Sequence, residues 1–255
     1  MNTSKSILNS LDLLLEMIAN DLKIRYRYTL FGFLWIIFNS LFQMLIIGMI
    51  FSVFIKMTNY YLFLFTGIIV WQFFSQSLSR STTIFLNDRS LLQKARFSTY
   101  IMPISVVASN FVHLIAAIIM LVFYLIFSKS LLFPDIFLLI PVGLWLLILT
   151  TGISLLMSSF YVFHRDVIFI VNSLLLLGFY VTPILYPFSY IPKELHIFFA
   201  VNPLTSIFEL FRLSLIGQAS IPKEIIFVNL IISILIVSGG IYAYKKLHRN
   251  FVDRL

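Results

Sequence analysis

The chain has 255 residues, of which 60% are hydrophobic and only 11% charged, with a formal net charge of +8 and no cysteine. Soluble domains run about 45–50% apolar and about 25% charged, so a soluble core is excluded and a polytopic membrane protein is specified. Disulfide and thiol chemistry are excluded as well, and the basic residues flank the apolar runs, where they act as topology signals rather than a nucleic-acid surface.

Residues 5–27 precede any apolar run. Ile7, Leu11, Leu14, Ile18 and Leu22 recur at helical spacing, with Asn9, Asp12, Glu16, Asn20 and Lys23 elsewhere around the wheel. This pattern predicts an amphipathic helix in the membrane interface, serving either as an anchor or as a gate at a channel mouth. The N-terminus carries several charges and no small-residue cleavage motif, so no removable signal peptide is expected. Lys23, Arg25 and Arg27 then cluster before the first span, at about 33–55. A second span is predicted at about 61–79, with Asn39/Gln43 and Gln72/Gln76 on polar faces of these two helices.

Residues 80–99 form the first long polar interruption, holding Arg80, Asp88, Arg89, Lys94 and Arg96 among apolar residues that suit a short one-sided helix. The third span, about 102–127, carries Ser105, Ser109 and His113 at i, i+4 and i+8, and the lone His113 reads as hydrogen-bonding glue between helices. A fourth span is predicted at about 136–163, with Pro134 and Pro141 marking its start. His164, Arg165 and Asp166 make a tight charged loop before the fifth span at about 167–183, which stops at Thr182-Pro183. Pro192 and Pro203 are placed to start two short helices, and Gly217 to end the second. Glu209 and Arg212, at i and i+3 there, are spaced to pair. The sixth span covers about 225–244.

The expected fold class is therefore all-α integral membrane, in one domain over residues 1–255. It has six transmembrane helices, an N-terminal amphipathic interfacial helix, and two short outer-face half-helices between spans five and six. Thirteen of the eighteen Lys and Arg fall on the side holding both termini, the 80–99 loop and Arg165. The positive-inside rule makes that side cytoplasmic. The ten Asp and Glu all fall in loops by this division, which counts against an ion-coupled carrier. No Gly-rich phosphate loop and no metal-spaced ligand set is present, so any uphill transport needs energy from another chain. The polar helix faces suit either a wet path or bonds between neighbouring helices. The many aromatics suit membrane belts, and in a channel would stack on sugar rings.

Several stretches together resemble the permease subunit of ABC-type polysaccharide exporters, which carry O-antigen, capsule or teichoic-acid chains. They are Lys23 to Trp35; Arg96-Phe97 with Met102-Pro103; Phe163-His164-Arg165-Asp166-Val167; Thr182-Pro183-Ile184-Leu185-Tyr186-Pro187; and Asn202-Pro203-Leu204 with Phe211-Arg212. Order and spacing agree along nearly the whole chain. Departures are Asn39-Ser40 where the family often has Asn-Pro, Ser98 where a Pro commonly follows the Phe, and Tyr28-Thr29 and Phe31-Gly32 for the usual small residues and Leu-Gly.

The resemblance implies an ABC exporter transmembrane domain in the bacterial inner membrane, both termini cytoplasmic. It implies a homodimer joined to two copies of a cytoplasmic ABC ATPase, which holds the ATP and Mg that this chain does not, and a polyprenyl-pyrophosphate-linked glycan as cargo. Arg25, Tyr26 and Arg27 would serve the gate or meet the headgroup. The loop with Arg80, Asp88, Arg89, Lys94 and Arg96 would couple to the ATPase, beside a second cytoplasmic loop of His164, Arg165 and Asp166. Pro183, Tyr186, Pro187, Asn202, Pro203 and Arg212 would form the outer gate. Whether the basic residues meet a pyrophosphate or an acidic ATPase surface stays open at this point. The chief alternative is an ABC permease for a drug or small lipid.

Overall fold

The computed structural model describes residues 3–89, 98–127, 135–217, 221–248 and 251, with the side chains of 3–9, 33 and 36 left aside. Among them every regular element is helical. We number the α-helices α1 (Thr3–Tyr26), α2 (Trp35–Phe51), α3 (Tyr60–Asn87), α4 (Ile101–Phe127), α5 (Leu139–Phe163), α6 (Val167–Val181), α7 (His196–Val201), α8 (Pro203–Ile216) and α9 (Lys223–Leu247). Lys94, Arg96 and Pro134, which the sequence singles out, lie outside the described residues.

Among the described residues four helices are long and apolar enough to cross a membrane: Tyr60–Asn87, Ile101–Phe127, Ile136–Phe163 and Lys223–Leu247. The segments Lys193–Val201 and Pro203–Ile216 make a fifth candidate, bent by 100° at its break. The other two predicted crossings are shorter apolar helices. In the first, a 3-10 turn over Gly32–Leu34 takes up residues expected to be α-helix, and α2 stops at Phe51. In the second, α6 stops at Val181, before Thr182-Pro183. Its 15 residues span only about 22 Å at helical rise, less than the hydrocarbon thickness of about 30 Å.

α3 is the hub, packing against α2, α4, α5, α6 and α8. It runs eight residues beyond the predicted end of its span. Nothing between Arg80 and Asn87 stops a helix, and Ser81 and Thr82 satisfy their buried hydroxyls on carbonyls of their own helix at 3.2 and 2.7 Å. Pro103 and Pro141 fall in the first turns of α4 and α5, where a missing N–H costs nothing. α5 and α9 approach most closely through small residues. A Cβ on Gly152 would lie 2.8 Å from the Val237 backbone, and one on Gly240 would overlap the Gly152 carbonyl. In lipid, where apolar burial drives little association, such backbone contact is a main source of helix pairing.

The two ends of the bundle differ. One end gathers the last turn of α3, the 98–100 turn, the end of α5 and the end of α9. There Phe251 packs on Phe85, Phe163 and Tyr244, and Thr99 hydrogen-bonds the Tyr244 hydroxyl. The other end gathers the start of α3 and the segment from Thr182 to α8.

Candidate functional site

Residues 182–187 after α6 have no regular structure, yet Thr182, Pro183, Ile184, Leu185 and Pro187 are buried, as is Phe188 at the start of the 3-10 turn that follows. Buried carbonyls outside a helix need donors, and side chains from two other helices supply them. Arg212 of α8 donates from Nη1 to the Pro183 carbonyl (2.7 Å) and from Nη2 to the Ile184 carbonyl (2.9 Å). The Tyr60 hydroxyl, at the start of α3, donates to the Leu185 carbonyl (2.8 Å). The Arg212 side chain is 1% exposed and pairs with Glu209 at 3.0 Å, itself 2% exposed. Its guanidinium carbon sits 3.5 Å from the centroid of the Phe63 ring. Gly67 makes room for this arrangement, since a Cβ there would come within 3.0 Å of Arg212 Nη2 and 3.3 Å of the Ile184 carbonyl.

Asn202-Pro203 turns the chain through the 100° bend between α7 and α8. The Asn202 side chain caps α8 by accepting from the Leu204 N–H (3.1 Å), and Pro203 fills the first helical position. The same side chain donates to Thr182 Oγ1 at 3.0 Å, tying the bend to the end of α6. Gly217 closes α8 at φ +69°, a conformation that suits glycine. Asn229 of α9, fully buried, accepts from the Ser206 N–H and hydroxyl (3.2 and 2.6 Å) and donates to the Ala200 carbonyl (2.5 Å).

A second polar cluster ties α1 to α3 and α4. The two terminal nitrogens of the Arg80 guanidinium, Nη2 and Nη1, donate to the Asp21 carboxylate at 2.5 and 3.2 Å. Arg25 donates to Asp21 (3.1 Å), and so does Ser109 (2.5 Å). Arg25 also reaches Asn110 Oδ1 (2.9 Å) and His113 Nδ1 (2.8 Å), while the Tyr26 hydroxyl meets His113 Nε2 (3.0 Å). Arginine is always a donor, so Nδ1 accepts and the imidazole proton sits on Nε2, donated to Tyr26. Burial, and then the Asp21 charge, push the Tyr26 phenol up to about 12. Asp88 is also raised, chiefly by desolvation, then by Asp21, with Arg80 pulling the other way. Beside the cluster lies a cleft of about 350 Å³ lined by Asp21, Ile24, Arg25, Gln76 and Arg80.

The residues singled out from sequence thus divide. Pro183, Asn202, Pro203 and Arg212 come together in one assembly, with Pro187 and Tyr186 on its edge. Arg25, Tyr26 and Arg80 come together in the other. Arg27 stays outside it, stacked on its neighbour Tyr28 at 4.8 Å. Arg89, His164, Arg165 and Asp166 are exposed at the end of the bundle that carries Phe251. The pairing of Glu209 with Arg212 agrees with their spacing, but their complete burial had no sequence signal. Asp21 was overlooked, although its i, i+4 relation to Arg25 was visible. Tyr60 and Asn229 carried no signal. The polar faces of α2 and α3 bond to one another here: Ser40 donates to Gln72 (2.7 Å) and Gln72 to Gln43 (3.1 Å).

Comparison with known proteins adds a consistent finding. The family model described as ABC-2 type transporter matches residues 13–216. An O-antigen export system permease protein RfbA of Klebsiella pneumoniae is 31% identical over 250 residues, covering 96% of this chain and 95% of that protein. A second protein of that name and organism is 28% identical over 247 residues, at the same coverage. The Myxococcus xanthus protein of the same name is 32% identical over 205 residues, 76% of each chain.

Proposed function

From the premise that this chain belongs to the ABC-2 type transporter family, we propose that it is the membrane-spanning permease of an ATP-driven exporter of lipid-linked polysaccharide. O-antigen is the glycan class that the names of its relatives support. The carrying observation is the largely buried non-helical stretch 182–187, held by Arg212 and Tyr60. Irregular backbone at membrane depth is stable only where protein or a water-filled cavity surrounds it, so such a stretch marks a pathway rather than an anchor. A buried ion pair beside it points the same way.

In this reading the chain makes six crossings, and the short α2 and α6 complete theirs with the flanking non-helical residues. The excess of basic residues supports an inner-membrane orientation with both termini on the cytoplasmic side. The segment 182–217 is then the outer gate, and α1 lies at the cytoplasmic leaflet where a lipid-linked substrate arrives. Two copies of the chain form the conduit, each bound to a separate cytoplasmic ATPase. ATP and Mg reside on that partner, since this sequence has no phosphate-binding loop. The polar interruption after α3, with Asp88 and Arg89, is the docking surface, supported by the 164–166 loop at the same end. Substrate enters as a polyprenyl pyrophosphate carrying the glycan, its headgroup passing Arg25, Tyr26 and Arg27.

The test is deletion of the gene, followed by surface labelling and leaflet fractionation of the lipid-linked glycan. Loss of surface polymer with accumulation at the cytoplasmic leaflet is the expected result. Unchanged surface polymer would overturn the polysaccharide reading in favour of a drug or small-lipid permease.

A further inference from the structure

Two guanidinium groups, Arg25 and Arg80, share a single carboxylate, Asp21, which accepts from Arg25, Arg80 and Ser109. Two guanidinium groups face one directly bonded carboxylate, with Asp88 as the further carboxylate near Arg80, and the adjoining cleft of about 350 Å³ is lined by both arginines. Asp21, Arg25 and Tyr26 tie α1 to α3 and α4 through six hydrogen bonds. Leu11, Leu15 and Ile24 of α1 are more than half exposed, while Met17 packs on the cluster that includes Phe85 and Tyr244. His113 and Tyr26 complete the polar surroundings on the α4 side, and Asp88 those on the α3 side.

We propose that Asp21 is a latch: an internal anion that occupies the Arg25–Arg80 pair and is displaced by an arriving pyrophosphate, so that ligand binding releases α1 from α3 and α4. The chemistry follows from the donor set. Guanidinium groups bind phosphoryl oxygens in the same two-pronged way as they bind a carboxylate, and a pyrophosphate brings more charge than one carboxylate. Asp21 and the ligand compete for the same N–H groups, so binding and release are one equilibrium. This rests on the export reading only for the identity of the ligand. The latch itself is a property of the three side chains.

The chain has no cysteine, so Leu15→Cys with Asn87→Cys gives a clean spin-label pair from α1 to the end of α3. The full-length chain in lipid nanodiscs is measured with inorganic pyrophosphate, with a prenyl pyrophosphate, and with the ATPase partner. Both pyrophosphate probes are expected to add a longer-distance population. If the prenyl probe acts at lower concentration than the inorganic one, the natural source is a lipid headgroup; equal potency makes it the free anion.

Asp21→Asn is expected to show the long population without ligand and to bind inorganic pyrophosphate about tenfold tighter, the worth of a lost charge-assisted hydrogen bond. Ser109→Ala, which keeps every charge, is expected to shift the same way by less, and it stands in should Asp21→Asn fail to fold. Unchanged distance and affinity in the variant that folds overturn the latch. Movement of α1 by the ATPase alone, with neither pyrophosphate acting, also overturns it and makes the arginine pair a protein-docking site. Surface glycan after gene deletion is a separate readout. It fails with the export reading and stands if only the latch is wrong.

Discussion

Arg212→Ala is the sharpest test of how the broken segment is held. Arg212 is fully buried and makes three hydrogen bonds, one to Glu209 and two to the carbonyls of Pro183 and Ile184. Removing one partner of a buried pair costs about 3–5 kcal/mol, because the other charge stays in a low-dielectric site. Each carbonyl left without its donor adds about 1–3 kcal/mol before relaxation, and the terms overlap. The expected loss is therefore about 5 kcal/mol, with about 3 kcal/mol as its floor. Arg212→Met with Glu209→Leu removes both charges and restores the pair's share, so only the carbonyl share of about 2 kcal/mol remains. The double variant should thus be more stable than the single one. Equilibrium unfolding in mixed micelles, followed by tryptophan fluorescence, measures both. A single variant within about 1 kcal/mol of wild type, or a double variant no better than the single, would refute the argument that this ion pair holds the break.

Gly240→Ala should cost about 2 kcal/mol, since its methyl group runs into the Gly152 carbonyl, which no rotamer can relieve. Gly239→Ala meets nothing within 4 Å and should instead gain up to about 1 kcal/mol of helix propensity; the pair is compared by the same unfolding assay. Asn229→Leu removes the donor to Ala200 and the acceptor for Ser206, and should cost about 1–2 kcal/mol while lowering surface glycan through loss of the α7–α8 bend. The Tyr26 pKa is raised from 10.0 to about 12, so the native state holds that proton longer than the unfolded chain. Its contribution is present below pH 10 and fades as pH rises towards about 12, a slope that Tyr26→Phe should lack in unfolding curves across that window.

What the sequence determined by itself is local or compositional. Its apolar content demands helices in a membrane. Pro203 behind Asn202 starts α8, Gly217 ends it, and Thr182-Pro183 stops α6, because each acts on its own few bonds. The family is legible for the same reason, since its marks are prolines, glycines and charges at fixed spacing. Helix lengths were less legible. α3 runs through Arg80 because nothing in 80–87 stops a helix, and the charge of Arg80 is accepted there by Asp21, 59 residues earlier. No window of sequence contains that pairing.

Only the tertiary structure decided where the charges go. In sequence Arg212 and Glu209 are only a helix pair at i, i+3, and they are buried because α3 offers Phe63 and the gap at Gly67. The carbonyls of Pro183 and Ile184 give the guanidinium its remaining acceptors. A guanidinium is tolerated in a dry site only when several acceptors converge on it. Those acceptors and the Phe63 ring come from three separate stretches of chain, and convergence of that kind exists only once the chain has folded.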